Sequence, residues 1–196
     1  MARVILYAIA LSLATAAAHA HAGVGAGVGI DHGFSHPLGG IDHVLAMVAV
    51  GLLAARLGGR ALWLVSLAFV SMMAAGGALA MAGMHMPFVE IGIALSVVAF
   101  GATVALGFPL PIAAAMALVG AFAVLHGHAH GAEMPEAMSG LAYGVGFVLA
   151  TAALQAAGVA LGLAIGRLGE ARGARLFRAC GSVVGVVGIT IFAGAL

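Results

Sequence analysis

The sequence predicts an all-α protein: a polytopic membrane helix bundle with six transmembrane helices after a cleaved N-terminal signal peptide. Of its 196 residues, 64% are hydrophobic and 7% are charged, and the mean hydropathy is +1.24. A soluble domain is about one quarter charged. Apolar windows of about 20 residues, long enough to cross a bilayer as a helix, recur along most of the chain. The net charge of +1 gives no reason to expect nucleic acid as a partner.

The first 20 residues have the pattern of a secretory signal. Arg3 precedes a short apolar segment, and small residues end in Ala18-His19-Ala20. An uncleaved first helix is the alternative, and an overlapping Ala-x-Ala at 20–22 leaves the cleavage position open. We therefore predict a signal peptide at 1–20 and one transmembrane domain at 21–196.

Six apolar segments are predicted to span the membrane. They lie at roughly 40–56, 61–82, 89–107, 110–126, 138–166 and 176–195, with short connections between them. Two series of glycines at four-residue spacing, Gly158–Gly162–Gly166 and Gly181–Gly185, predict close packing of helices. Packing within one chain is the expectation, and a homo-oligomer interface is the alternative.

The arginines predict an orientation in the cytoplasmic membrane. With the mature N-terminus outside, Arg56, Arg60 and the four arginines between 167 and 178 all fall in the cytoplasm. Histidines and most carboxylates then lie at the outer face, which the positive-inside rule does not explain. The inner half lacks histidine and nearly lacks carboxylates, so the sequence does not identify an exit route for an ion.

The stretch HPLGGIDH, residues 36–43, is the first candidate site. Pro37 suits the first turn of a helix, which would place His36 and His43 on one face, although the Gly-Gly pair also permits a break. An aspartate within a span costs about 2.5–3.5 kcal/mol on insertion scales and usually marks a site. We predict that His36, Asp42 and His43 handle a metal ion, and a polar helix cap is the alternative.

The stretch LHGHAHGAE, residues 125–133, is the second candidate site. On a helix, His126, His130 and Glu133 would share one face, whereas a solvated histidine-rich loop is the alternative. Glu90 lies at the same outer depth and could complete the site or stabilise the start of its helix. The predicted metal ligands are therefore His36, Asp42, His43, Glu90, His126, His130 and Glu133. Imidazole with carboxylate suits nickel, cobalt, zinc or Cu(II) better than magnesium or calcium.

Several enzyme classes are disfavoured by what the sequence lacks. The chain contains no lysine, so it has no Walker A motif for ATP hydrolysis. Neither His-Glu-x-x-His nor a serine-based catalytic motif is present, so we predict no enzyme. A haem-binding electron-transfer subunit would need histidines deeper in facing helices.

Together, the two histidine stretches resemble the HupE/UreJ family of small nickel permeases, which are found beside hydrogenase and urease systems. The family carries His-x5-Asp-His, matched by His36, Asp42 and His43. It also carries Phe-His-Gly-x-[Ala/Val]-His-Gly-x-Glu, matched at 125–133 with Leu125 in place of phenylalanine. His128 falls at the variable position, so the resemblance does not support it as a ligand.

The resemblance covers the whole chain and implies nickel import by facilitated diffusion to supply hydrogenase or urease. Nickel would be the transported ion rather than a cofactor, and its preference over cobalt rests on the resemblance alone. A cobalt or copper transporter of the same fold is the first alternative. A metal-binding accessory membrane subunit is the second.

Overall fold

The computed structural model describes residues 26–135 and 138–196. This part of the chain contains seven α-helices and no β-strand. The helices are α1 Ala26–Gly39, α2 Ile41–Leu57, α3 Ala61–Met81, α4 Val89–Leu106, α5 Ile112–Ala132, α6 Gly140–Gly166 and α7 Glu170–Gly194. The all-α prediction is confirmed. The predicted signal peptide at 1–20 lies outside the described residues.

Helices α3 to α7 are each long and apolar enough to cross a membrane. Helices α1 and α2 together form a sixth candidate span, which is bent by 86° at its break. The described chain is therefore a multi-pass membrane protein, and it has the six predicted spans when the bent pair counts as one.

The bend at Gly40 selects the second of the two possibilities for residues 36–43, a break at the Gly-Gly pair rather than one continuous helix. Gly40 is extended, with φ −92° and ψ 116°, and Pro37 lies near the end of α1 rather than at the start of a helix. The Asp42 carboxylate accepts a hydrogen bond of 2.7 Å from the backbone N–H of His43, one of the free donors at the start of α2. A Cβ on Gly40 would lie 2.7 Å from that carboxylate oxygen, so glycine leaves the space that this cap needs.

Two other helices are longer than predicted. Helix α5 continues to Ala132, so the second histidine stretch is helical and not a connection. The helix can continue through this polar stretch because its imidazoles form hydrogen bonds inside the bundle. Helix α7 begins at Glu170 rather than near residue 176, with a carboxylate in its first turn, where the helix dipole favours negative charge.

Glycines let several helix pairs pack backbone against backbone. A Cβ on Gly158 would overlap the Val48 carbonyl of α2, and one on Gly181 would overlap α4 at Ala105. The two predicted series of glycines therefore pack helices within the chain, except for Gly166, whose Cβ position has no neighbouring atom within 4 Å. At the seam of α1 with α6, a Cβ on Gly33 would overlap the Tyr143 carbonyl.

The bundle has two chemically different ends. At the arginine end, where α2 meets α3 and α6 meets α7, the Arg56 guanidinium donates to the Val104 carbonyl and lies 5.4 Å from the centre of the Phe177 ring. The histidine end holds the starts of α2, α4 and α6 and the ends of α3 and α5. The two histidine stretches thus share one end, as the sequence predicts.

Replacing Gly101 with alanine should destabilise the fold, because its Cβ would overlap the backbone of Gly185 across the α4–α7 seam. Overpacking of this kind costs about 1–3 kcal/mol. The measurement is denaturant-induced unfolding of the purified protein in micelles. Gly166→Ala is the matched control, since its methyl group meets open space and should leave stability unchanged or slightly raised. Equal unfolding midpoints for the two variants would contradict the close packing.

Candidate metal centre

Three side chains from the two stretches meet at the surface of the histidine end. His36 of α1, His130 of α5 and Glu133 just after α5 each offer one ligand atom, and these atoms all lie within 4.8 Å of one another. The His36 Nε2 atom is 2.9 Å from Glu133 Oε2, and His130 Nδ1 is 3.4 Å from the same oxygen. This surface trio has the imidazole and carboxylate ligands that suit a divalent transition metal.

Two further histidines lie deeper, behind the surface trio. His43 of α2 and His126 of α5 have ring centres 5.3 Å apart, and we call them the buried pair. His130 connects the two groups, because its Nε2 atom lies 3.3 Å from His43 Nδ1. The spacing of one helical turn between His126 and His130 on α5 places both rings against His43.

Exposure falls steadily along this row of side chains. The side chains of Glu133, His36 and His130 are 53%, 29% and 14% exposed, and His43 and His126 are buried as whole residues, at 1% and 0%. Polar side chains at membrane depth are costly and usually mark a site or a pathway. The row therefore leads from the surface of the bundle into its centre.

The hydrogen bonds around His126 leave one ring nitrogen free. Ser96 donates its hydroxyl hydrogen to the Ile93 carbonyl at 2.6 Å, so it accepts from His126 Nε2–H at 2.8 Å. A neutral imidazole has one donor and one acceptor nitrogen, and Nδ1 of His126 is therefore the acceptor. This Nδ1 is buried without a hydrogen-bond partner, which makes its lone pair available to a metal ion.

The same arrangement recurs at His43. Thr151 donates to the Met73 sulfur at 3.5 Å and accepts from His43 Nε2–H at 3.3 Å. The lone pair of His43 Nδ1 then points toward His130. Second partners of this kind fix the tautomer and orientation of ligand histidines in metal sites.

Aromatic rings surround the buried part of the row. The Phe147 ring centre lies 5.2 Å from that of His43 and 4.6 Å from that of His130. Phe69 lies 5.8 Å from His126 and contacts Phe100 in turn. These rings keep water from the imidazoles at the sides, while a cavity of about 620 Å³ between α3, α5 and α6 reaches His130.

The structure does not bring the other two predicted ligands, Asp42 and Glu90, into the surface trio. Asp42 lies in the first turn of α2, where its carboxylate accepts a hydrogen bond from the backbone N–H of His43. Glu90 is exposed in the first turn of α4. Both carboxylates lie at the histidine end, where they add negative charge near the trio.

His128 has a different role from its neighbours in the same stretch. Its Nε2 donates 2.7 Å to the Met84 carbonyl, so it ties α5 to the loop between α3 and α4. Sequence reasoning missed three partners of the row: His32, which stacks on His36 at 5.8 Å, and the hydroxyls of Ser96 and Thr151. A hydroxyl in an apolar segment was the available signal, but serine and threonine commonly bond to their own helix instead.

The fold and the site together define the class: a polytopic membrane protein with a row of histidines and a carboxylate, side chains that could hold a metal ion, leading from one end into the bundle. The sequence pattern of the family described as HupE / UreJ protein matches residues 9–191. Protein HupE of Rhizobium leguminosarum bv. viciae is 43% identical over 162 residues, covering 83% of this chain and 83% of that protein. The chain belongs to the HupE/UreJ family, as the two stretches predicted. No solved structure matches it significantly.

Replacing His130 with alanine should weaken metal binding by at least about tenfold, because the side chain belongs to the surface trio and also contacts the buried pair. The measurement is equilibrium dialysis of the purified protein with nickel. His128→Ala is the matched control on the same helix, and it should bind nickel like the wild type. Equal losses in both variants would contradict the separate roles of the two histidines.

Proposed function

We propose that this protein is a nickel permease that imports Ni²⁺ across the cytoplasmic membrane to supply hydrogenase or urease. The observation that carries the proposal is the row of imidazoles with falling exposure, found in a member of the HupE/UreJ family. A site that only stored metal would not need ligands spread from the surface to the centre of the bundle. A permease needs ligands in series along the path.

The surface trio would replace part of the hydration shell of the arriving ion. Asp42, Glu90 and Glu133 attract the cation to the histidine end, and a lone pair on His36 or His130 can then displace a bound water. Permeation requires that binding be strong enough for entry and weak enough for release. The partly exposed trio suits this, because it leaves coordination positions for water or for the next ligand.

His130 would then transfer the ion from the trio to the buried pair. Its contact of 3.3 Å with His43 leaves no gap between the two groups. The buried Nδ1 atom of His126 supplies a further lone pair without breaking an existing hydrogen bond. Exchange of one ligand at a time would let the ion move without ever losing its whole coordination shell.

The proposed orientation places the histidine end outside and the arginine end in the cytoplasm. Arg56, Arg60 and the arginines near the start of α7 lie at the end opposite the metal site, in agreement with the positive-inside rule. At about 100 mV, inside negative, an entering divalent ion gains about 4.6 kcal/mol, twice the value for one charge. Facilitated diffusion therefore needs no further energy source.

Cells that lack their own nickel importers should accumulate radioactive nickel when they produce this protein, and the uptake should fall when the membrane potential is collapsed. His43→Ala at matched membrane abundance should reduce uptake to the level of the empty vector, because it removes the buried ligand next to His130. His128→Ala should retain uptake. Cobalt, copper and zinc as competitors rank the selectivity among transition metals.

Reconstitution of the single chain in liposomes separates a permease from an accessory subunit. Nickel entry into liposomes that contain only this protein supports the permease. Nickel binding without entry, in protein that is correctly inserted, would favour the accessory subunit. Uptake that His43→Ala leaves intact would remove the proposed role of the buried pair.

A further inference from the structure

Two routes lead deeper from the buried pair, and they differ in chemistry. Beside His126 lies the Ser96 hydroxyl, which donates to a carbonyl of its own helix, and the fully buried rings of Phe69 and Phe100 that pack there offer no ligand atoms. Behind His43 lies Thr151 of α6, also fully buried, with its hydroxyl 3.3 Å from His43 Nε2. A polar path therefore continues along α6 and not past His126.

Gln155 lies one helical turn beyond Thr151, on the same face of α6. It is 1% exposed, and its amide Nε2 donates to the Met47 sulfur at 3.7 Å. Its carbonyl oxygen, Oε1, is buried without a hydrogen-bond partner. A buried amide oxygen that bonds to nothing is costly and calls for an explanation, because buried acceptors are nearly always paired.

We propose that Thr151 and Gln155, together with the thioethers of Met73 and Met47, form the next binding step for the permeating divalent cation. This inference rests on the proposed permease function and extends it into the half of the bundle that lacks histidine. The Gln155 carbonyl is the oxygen ligand, the Thr151 hydroxyl lies between His43 and the Met73 sulfur, and the two sulfur atoms are weak, polarizable ligands. The ion itself would be the missing partner of Gln155 Oε1.

The neutral character of these ligands fits a position between the buried pair and the arginine end. A carboxylate at this depth would hold a divalent cation tightly and slow its release, which a permeation path must avoid. An amide, a hydroxyl and thioethers bind nickel weakly, since this ion prefers imidazole among protein ligands. Weak binding at this step lets the ion leave readily, and the membrane potential supplies the free energy that moves it from the histidines toward the arginine end.

A cavity lies next to Gln155. Gln155 lines a cavity of about 500 Å³ between α3 and α6, bordered by Ser66, Trp63 and Leu163 among others. Leu163 is near the end of α6, so the cavity extends from Gln155 toward the arginine end. Its lining is almost entirely apolar, and Trp63 and Leu163 are each about half exposed, so this space opens to the lipid side of the bundle and is not a water-filled exit for the ion.

The test compares purified wild-type protein with Gln155→Leu in liposomes, with nickel uptake driven by an imposed potential. Leucine removes the amide and puts an apolar side chain of similar size in its place. We expect the maximal uptake rate to fall at least about tenfold, as for the loss of one supporting metal-site partner. Nickel binding at the histidine end, measured by equilibrium dialysis, should stay within about twofold of the wild type.

Threonine variants supply the controls. Thr151→Val should also lower the maximal uptake rate. Thr151→Ser should have the wild-type rate, because serine keeps the hydroxyl. Thr103→Val is the matched control for the loss of a hydroxyl in a span, since Thr103 donates 2.7 Å to the Ala99 carbonyl of its own helix. It should transport nickel at the wild-type rate.

The outcomes separate this inference from the proposed function. If the wild type transports nickel and Gln155→Leu transports it equally fast, the inference about Gln155 is wrong, and the proposed permease function is unaffected. Loss of nickel binding together with uptake in Gln155→Leu would show that the residue supports the histidines structurally, which also overturns it. No uptake by inserted wild-type protein would overturn the permease itself.

Discussion

The bend of 86° between α1 and α2 is the constraint on which the metal centre depends. A straight helix through residues 36–43 would place His36 and His43 on one face and about 10 Å apart along its axis, at 1.5 Å per residue. The bend instead lays α1 against α6, where Gly33 and Gly146 allow backbone contact. His36 then reaches Glu133 while His43 remains in the core. His36 and His43, which belong to one short motif, thus lie at two different depths in the bundle.

The fold was largely predictable because the bilayer restricts backbone structure to helices of known length. Five spans lie where hydropathy predicts them, with ends that shift by up to six residues. The helix α1 was not predicted, since its glycines and histidines lower its hydropathy and its stability comes from contact with α6. The extension of α5 through His130 depends on partners in other helices, and hydropathy along one chain does not contain that information.

The site was predictable as a set of residues but not as an arrangement. Both histidine stretches were recognised from ligand chemistry. Each stretch, however, contributes residues to both the surface trio and the buried pair. Spacing along a chain indicates which residues share a helix face, whereas the pairing of His36 with Glu133 depends on how α1 and α5 meet. The support from Ser96 and Thr151 was invisible for the same reason, because both hydroxyls act across helix boundaries.

The order of ligands along the row follows the electrostatics of moving a divalent ion into a bundle. At the exposed end, carboxylates can attract the cation because water screens them and keeps binding reversible. Deeper in the bundle the same charges would bind too tightly, and neutral imidazoles take their place at His43 and His126. Deeper still, an amide and a hydroxyl on α6 are weaker ligands again. The decline from charged to neutral to weak ligands means that no position holds the ion too tightly to release it, and the membrane potential drives the ion from one position to the next, which a single strong site would prevent.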